Sequence, residues 1–279
     1  GTLDINGSLA FSTGSLIAPS GTMTVSGNFT MSGGTLDSNG GTVTLDGSSD
    51  QGLRLPGTSS TEDFATLRIN KSAGSVILGS AISGALVQLS AGTLTQGSNI
   101  VTTTATTIDG GTLTRGSGNY NSRTLTLSSG TYNSNGQTSL WSGAVLLSGG
   151  TYTASTATQT FGSSLTISGG TYTGSTGTAD INGNLTLNSG TFTAPSITLL
   201  SGNFTNVAGT FTQGSGLFTL DGNAQTLSGS LTFYDLTKTV SSGTTLFFHA
   251  GNTVTVTNTL TLQGAASNTL KLRSTTAAT

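Results

Sequence analysis

Leu, Ile, Val, Phe and Tyr recur in step along this chain, with small polar residues between them. The clearest phase marker is a Gly followed by Thr, an apolar residue and Thr or Asn. It reads Gly92-Thr93-Leu94-Thr95, Gly111-Thr112-Leu113-Thr114, Gly130-Thr131-Tyr132-Asn133, Gly150-Thr151-Tyr152-Thr153, Gly170-Thr171-Tyr172-Thr173, Gly190-Thr191-Phe192-Thr193 and Gly209-Thr210-Phe211-Thr212, a step of 19 or 20 residues. A fixed period of this length marks a solenoid or array. Within one period, 150–169, three short runs alternate polar and apolar: Thr151-Tyr152-Thr153, Thr158-Gln159-Thr160-Phe161 and Ser164-Leu165-Thr166-Ile167. Each is bounded by small turn formers, and none carries helical spacing. The pattern predicts an all-β chain, a parallel β-helix (β-solenoid) with three short strands per coil of 19-20 residues. About fourteen such coils fit the length.

The alternation also predicts which positions face in. Leu94, Leu113, Tyr132, Tyr152, Tyr172, Phe192 and Phe211 form one inward column, the aromatic members stacking on each other. A second pair of columns runs Leu125/Leu127, Val145/Leu147, Leu165/Ile167 and Leu185/Leu187, with Thr126, Thr166 and Thr186 facing out. Buried Tyr hydroxyls need partners. Gly, Asn182-Gly183 and Asp221-Gly222 suit the corners.

A longer unit overlies the short one. Gly1-Thr2-Leu3-Asp4-Ile5-Asn6-Gly7 matches Gly177-Thr178-Ala179-Asp180-Ile181-Asn182-Gly183, and Thr44-Leu45-Asp46-Gly47 matches Thr219-Leu220-Asp221-Gly222. The prediction is a single continuous β-solenoid over 1–279, in which 1–100 resembles 177–270. Irregular coils are expected at about 46–91 and 215–260, with 92–215 the most regular stretch. The chain reads as a window onto a longer array, or as a subunit that stacks end to end, with any leader already removed.

Composition narrows the function classes. Only 6% of the residues are charged, against about 25% in an ordinary domain. The net charge is −2 and no basic run could neutralise a row of phosphates, so no nucleic-acid partner is expected. No apolar stretch of about 18 residues predicts membrane insertion. There is no Cys, hence no disulfide framework and no thiolate metal site.

The 19-20-residue coil, its Thr/Asn/Gly decoration, and segments such as Leu45-Asp46-Gly47, Leu231-Thr232-Phe233-Tyr234-Asp235-Leu236-Thr237 and Leu270-Lys271-Leu272-Arg273-Ser274 resemble bacterial extracellular parallel β-solenoid repeat proteins. These are the filamentous haemagglutinin and autotransporter adhesin-like β-strand repeats. The resemblance is one of pattern and composition over nearly the whole chain. It implies an extracellular, secreted or cell-surface location and a structural or adhesive role. The implied partners are identical chains or further covalent repeats, stacked axially and packed laterally, and surface glycans.

Candidate chemistry is sparse. His249 is the one His, so neither a metal site nor a Ser-His-Asp triad is expected, and no cofactor or catalytic residue is assigned. Charge is densest at Asp46, Asp50, Arg54, Glu62, Asp63, Arg68 and Lys71. That cluster admits a polysaccharide-active β-helix enzyme. However, the second copy keeps only Asp221, Asp235 and Lys238, which favours a solvated loop or coil-edge insertion and predicts that the chain is not an enzyme. Asn-x-Ser/Thr at Asn6, Asn28, Asn70, Asn184 and Asn203 is no more than expected in a chain so rich in Asn and Thr. The candidate binding surface is a pair of outward ladders, Thr93, Thr112, Thr151, Thr171, Thr191 and Thr210 beside Thr95, Thr114, Thr153, Thr173, Thr193 and Thr212. Such a hydroxyl grid is similar to the surface of ice-binding β-solenoids, and it suits glycans as well. Thr is also simply a good exposed strand residue.

Overall fold

A computed structural model describes residues 1–56 and 63–276. Among these the chain is all-β, without helix, and its strands stack as a parallel β-solenoid of about 13 turns. It divides into two compact units, 1–137 and 138–279.

In the first unit the early coils have three strands each: β1 (Thr2–Ile5), β2 (Leu9–Phe11) and β3 (Ser15–Ile17), then β4 (Thr22–Val25), β5 (Phe29–Met31) and β6 (Thr35–Asp37). Each strand pairs in parallel with its copy 20 residues on, as in Leu3 with Met23 and Leu9 with Phe29. Next come β7 (Thr42–Leu45) and β8 (Gln51–Arg54). Four longer strands complete the unit: β9 (Phe64–Leu78), β10 (Ile82–Thr95), β11 (Val101–Thr114) and β12 (Tyr120–Asn133). Here the three short runs of a coil fuse into one strand of 14 or 15 residues that keeps its ladder around the corners. The corners appear as register shifts at Leu89–Thr93 and Ile108–Thr112, where the extra bulge residues bend the strand. Val76, Leu94, Leu113 and Tyr132 stand in register as one buried column.

The second unit keeps three separate strands per coil. Its first three coils are β13 (Ser139–Trp141), β14 (Val145–Leu147) and β15 (Thr151–Thr153); β16 (Gln159–Phe161), β17 (Leu165–Ile167) and β18 (Thr171–Thr173); and β19 (Thr178–Ile181), β20 (Leu185–Leu187) and β21 (Thr191–Thr193). Then follow β22 (Ile197–Leu200), β23 (Phe204–Asn206) and β24 (Thr210–Thr212), β25 (Leu217–Leu220), β26 (Gln225–Ser228) and β27 (Leu231–Phe233). The last five are β28 (Asp235–Thr239), β29 (Thr244–Phe248), β30 (Val254–Val256), β31 (Leu260–Gln263) and β32 (Leu270–Ser274). Two of the three columns pair from coil to coil throughout, β13 to β31 and β14 to β32. The third pairs from β15 to β24, and β27 with β30 forms a separate two-stranded sheet.

Inside and outside fall as the alternation predicts. Leu165, Ile167, Leu185 and Leu187 are buried, with Thr166 and Thr186 half-buried on the outer face. The aromatic column stacks: Tyr152 on Tyr172 at 5.2 Å, Tyr172 on Phe192 at 4.8 Å and Phe192 on Phe211 at 6.2 Å between ring centroids. Close offset stacking adds to the burial of each ring. Coil length varies more in the stretches expected to be irregular. Thr42 pairs with Thr66 and Leu53 with Leu78, while Leu236 pairs with Leu260 and Thr244 with Leu270.

Candidate functional site

The Thr residues proposed as ladders stand in register. In the first unit Thr93 pairs with Thr112 and Thr95 with Thr114, and the rows continue to Thr131 and Asn133. In the second, Thr151, Thr171, Thr191 and Thr210 form one row, and Thr153, Thr173, Thr193 and Thr212 the other. The apolar residue between each pair points inward, so both threonines point out. Thr173, Thr210 and Thr212 are exposed, and the other nine are half-buried. Each unit therefore carries two parallel hydroxyl rows, free of ionised groups.

The described carboxylates and cations of the charged segment bond mainly to serines. Asp46 accepts a hydrogen bond from Ser26 Oγ (2.9 Å), and Asp50 accepts one from the Ser75 N–H (2.8 Å). Arg68 Nε donates to Ser90 Oγ (3.1 Å), and Arg54 is exposed. Asp63 accepts from the N–H and hydroxyl of Ser83, and burial pushes its pKa up against those bonds. Glu62 lies outside the described residues. Among the described residues of the segment, each carboxylate bonds to a serine of the next or preceding coil.

Asp63 and Lys71 are buried, Lys71 to 2% exposure, so at these two residues the segment is not a solvated loop, and of the two expectations the coil-edge insertion fits them. Lys71 Nζ donates to the carbonyls of Gly47 and Ser49 (2.8 Å each) and to Gln51 Oε1 (2.6 Å). Gln51 in turn donates to the carbonyls of Val25 and Gly27. The second copy repeats the slot. Lys238, fully buried, donates to the carbonyls of Gly222 and Asn223 and to Gln225 Oε1, while Gln225 donates to the carbonyls of Leu200 and Gly202. The lysines themselves are not equivalent in register. Leu45 pairs with Ile69, two residues before Lys71, whereas Lys238 lies within the strand that pairs with β25. What recurs is a buried side-chain donor set at corner carbonyls. Burial lowers the pKa of both ammonium groups, opposed by Asp50 and Asp46 at Lys71 and by Asp221 at Lys238.

A third slot holds an arginine. Gln96 donates to the carbonyls of Asn99, Gly118 and Asn119, and its Oε1 accepts Arg115 Nε at 2.7 Å. Arg115 also donates to Tyr132 Oη and the Gly118 carbonyl, and its guanidinium lies 5.4 Å from the Tyr120 ring centroid. In the second unit Gln159 Oε1 accepts the Tyr152 hydroxyl (2.8 Å), and Trp141 Nε1 donates to the same Tyr152 oxygen. Tyr172 has no such partner, because the residue in register with Gln159 in the next coil is Ala179.

The remaining candidates are quiet. His249 is exposed, with Nδ1 3.0 Å from the Ala250 carbonyl. Among the described residues no three His, Cys, Asp or Glu side chains converge as metal ligands, and no helix is long and apolar enough to cross a membrane. Asn28 and Asn203 use their side-chain oxygens on the N–H groups of Gly52 and Thr226. The glutamine slots escaped the reading of the sequence, although a signal exists. Thr-Gln-Gly-Ser occurs twice, at 95–98 and 212–215, and Asp-Gly precedes a Gln by three or four residues in both copies of the longer unit.

No family model, curated protein or solved structure matches this chain.

Proposed function

We propose that this chain is a structural segment of an extracellular bacterial filament, sheath or long surface adhesin, in which coils stack axially on like coils. The observation that supports this reading is the sameness of successive cross-sections. Leu9 and Phe11 of β2 pair in register with Phe29 and Met31 of β5, so each coil offers the next the same apolar columns and the same backbone ladder. Leu3 of β1 is 41% exposed, whereas Met23 and Val43, which continue its row, are fully buried, so a coil placed before β1 would cover the same column. A second coil, from further repeats or another chain, can use the pairing that already operates inside the unit. Low charge favours lateral contact between such stacks, because little repulsion opposes it. Negative-stain electron microscopy of the purified chain tests the proposal. Fibres or end-to-end oligomers are expected, and a population of discrete monomers at every concentration would refute it.

One observation favours a second reading, a glycan-binding or ice-binding surface. The Thr rows hold register over four coils with no charge between them. Thermal hysteresis and glycan-array binding, each compared with a Thr173→Lys variant, would detect it.

A further inference from the structure

Asn-Gly pairs lie at 6–7, 39–40, 135–136 and 182–183, and the fold treats them in two different ways. Two are clamped. Asn39 and Asn135 are left-handed, at φ 50° and 46°, and Gly40 and Gly136 follow at 72° and 80°. Each pair is the tip of a type I′ turn. The Gly41 N–H closes the first turn on the Ser38 carbonyl (2.7 Å), and the Gln137 N–H closes the second on the Ser134 carbonyl (2.8 Å). The Asn39 N–H donates to Asp37 Oδ1 (2.8 Å) and the Asn135 N–H to Asn133 Oδ1 (2.9 Å). Each side-chain amide also reaches back one coil. Asn39 Nδ2 donates to the Ala18 carbonyl (3.2 Å) and Asn135 Nδ2 to the Arg115 carbonyl (2.9 Å).

The other two pairs are open. Asn6 follows β1 and Asn182 follows β19, at equivalent places in the two copies of the longer unit. Both side chains are exposed, and among the described residues neither amide has a hydrogen-bond partner. The Gly7 and Gly183 N–H groups are also unbonded, while their carbonyls accept from the Gly27 and Gly202 N–H groups at 2.9 and 3.0 Å. In these pairs no hydrogen bond holds the side-chain amide away from the next backbone nitrogen.

We propose that Asn6 and Asn182 are sites of spontaneous deamidation, and that the folded chain shields Asn39 and Asn135 from the same reaction. At Asn182 the Gly183 backbone nitrogen attacks Cγ and a C–N bond forms. The side-chain nitrogen leaves as ammonia, taking the Gly183 proton. Water then opens the cyclic imide at either carbonyl. One product is Asp, the other isoaspartate, whose main chain runs through the side-chain carbon, and nothing is oxidised or reduced. At Asn39 and Asn135 ring closure must first break the bond that holds the leaving nitrogen against the neighbouring coil, which raises the barrier.

The products fall where they have consequences. Asn182, Ser201 and Asp221 follow Ile181, Leu200 and Leu220 in register, and Ser201 Oγ donates to Asp221 Oδ1 at 2.8 Å. Asn6, Ser26 and Asp46 repeat that row. Deamidation sets a second carboxylate beside the serine, in a chain whose net charge is −2. Isoaspartate also lengthens the main chain at Gly183, where an added Cβ would already lie 2.6 Å from the Ser163 carbonyl carbon.

The test incubates the folded chain in mildly alkaline buffer. Mass spectrometry follows each Asn-Gly peptide, and an isoaspartate methyltransferase assay reads the second product. Asn6 and Asn182 should convert at least about tenfold faster than Asn39 and Asn135. In urea, where the clamps are gone, the rates should converge. Asn133→Ala removes the acceptor of the Asn135 N–H, so it should raise the Asn135 rate and leave Asn182 as it was. The proposal fails if all the pairs convert alike in the folded chain, or if Asn39 or Asn135 leads. It fails equally if the contrast persists in urea, or if Asn182 stays intact when folded while the same peptide converts in urea.

Discussion

Two tyrosines one coil apart show how a single neighbour decides the worth of a hydroxyl. Tyr152 bonds to Gln159 and Trp141, whereas Tyr172, stacked on it, meets Ala179 where the glutamine would be. Removing a hydroxyl that leaves buried partners unsatisfied costs about 1–3 kcal/mol, while removing an orphan is close to neutral. Urea unfolding should therefore show Tyr152→Phe losing stability in that range and Tyr172→Phe unchanged or more stable. Burial also raises the pKa of Tyr120 and Tyr172 above the ordinary value of 10.0. The folded chain then keeps protons that the unfolded chain releases, so the contribution is intact below pH 10 and is lost as pH rises beyond it. Unfolding midpoints from pH 8 to 12 should fall past pH 10, less steeply in Tyr172→Phe. The glutamine slots obey the same logic with charge added. Gln51→Leu and Gln225→Leu each take one of three acceptors from a buried ammonium and the side-chain donor from two carbonyls, at about 1–3 kcal/mol. Arg54→Leu, on an exposed side chain, should stay within about 0.5 kcal/mol in the same assay.

At the scale of the strand, the β17 triplet Leu165-Thr166-Ile167 contains the whole folding rule: apolar in, hydroxyl out, copy on copy. Leu165→Asp would put an unpaired charge into a dry column at a cost of several kcal/mol. Thr166→Asp, on the half-buried outer face, should cost within about 1 kcal/mol. Equal melting shifts for the two variants would refute the inside/outside assignment. This rule was legible in the sequence because a period of 2 inside a period of 20 leaves few other ways to bury Leu165 and Leu185 together. The Thr rows were legible for the same reason, their register following from that of the rings between them. The corners were less legible. Lys71 looked like one more charge in an acidic-basic cluster, because its burial depends on Gly47, Ser49 and Gln51 bringing three oxygens to one point. Gly47 itself is required there, since an added Cβ would collide with the Ser26 carbonyl. Alternation says nothing about such points, where the ladder fails and a side chain must complete it. The fusion of three runs into β10, β11 and β12 was likewise hidden, because it depends on whether a corner breaks the ladder or merely bends it.

At the scale of the whole molecule, the decisive quantity is how little charge remains outside. The chain has ten acidic and eight basic residues, and Lys71, Lys238 and Arg115 are spent inside. An association driven by ion pairs weakens as salt rises, because screening shortens the reach of each charge to about 10 Å at 0.1 M. An association driven by ladder pairing and apolar columns does not, and apolar burial strengthens in salts that are excluded from protein surfaces. If coils stack axially as proposed, light scattering should show the same or larger particles at 0.5 M than at 0.02 M sodium chloride. The contact can also be blocked at one face. Leu9 and Phe11 of β2 are half-buried in their own coil and continue the buried column of Phe29 and Met31. Leu9→Lys with Phe11→Lys places two charges where a stacked coil would have to bury them, so it should reduce particle length while leaving the melt of the monomer nearly unchanged. Thr173→Lys and Thr212→Lys, on the exposed Thr row, should instead leave length intact and thin any lateral bundles. Particles that shrink with salt, or that ignore the β2 substitutions, would place the association elsewhere than on the coil edge.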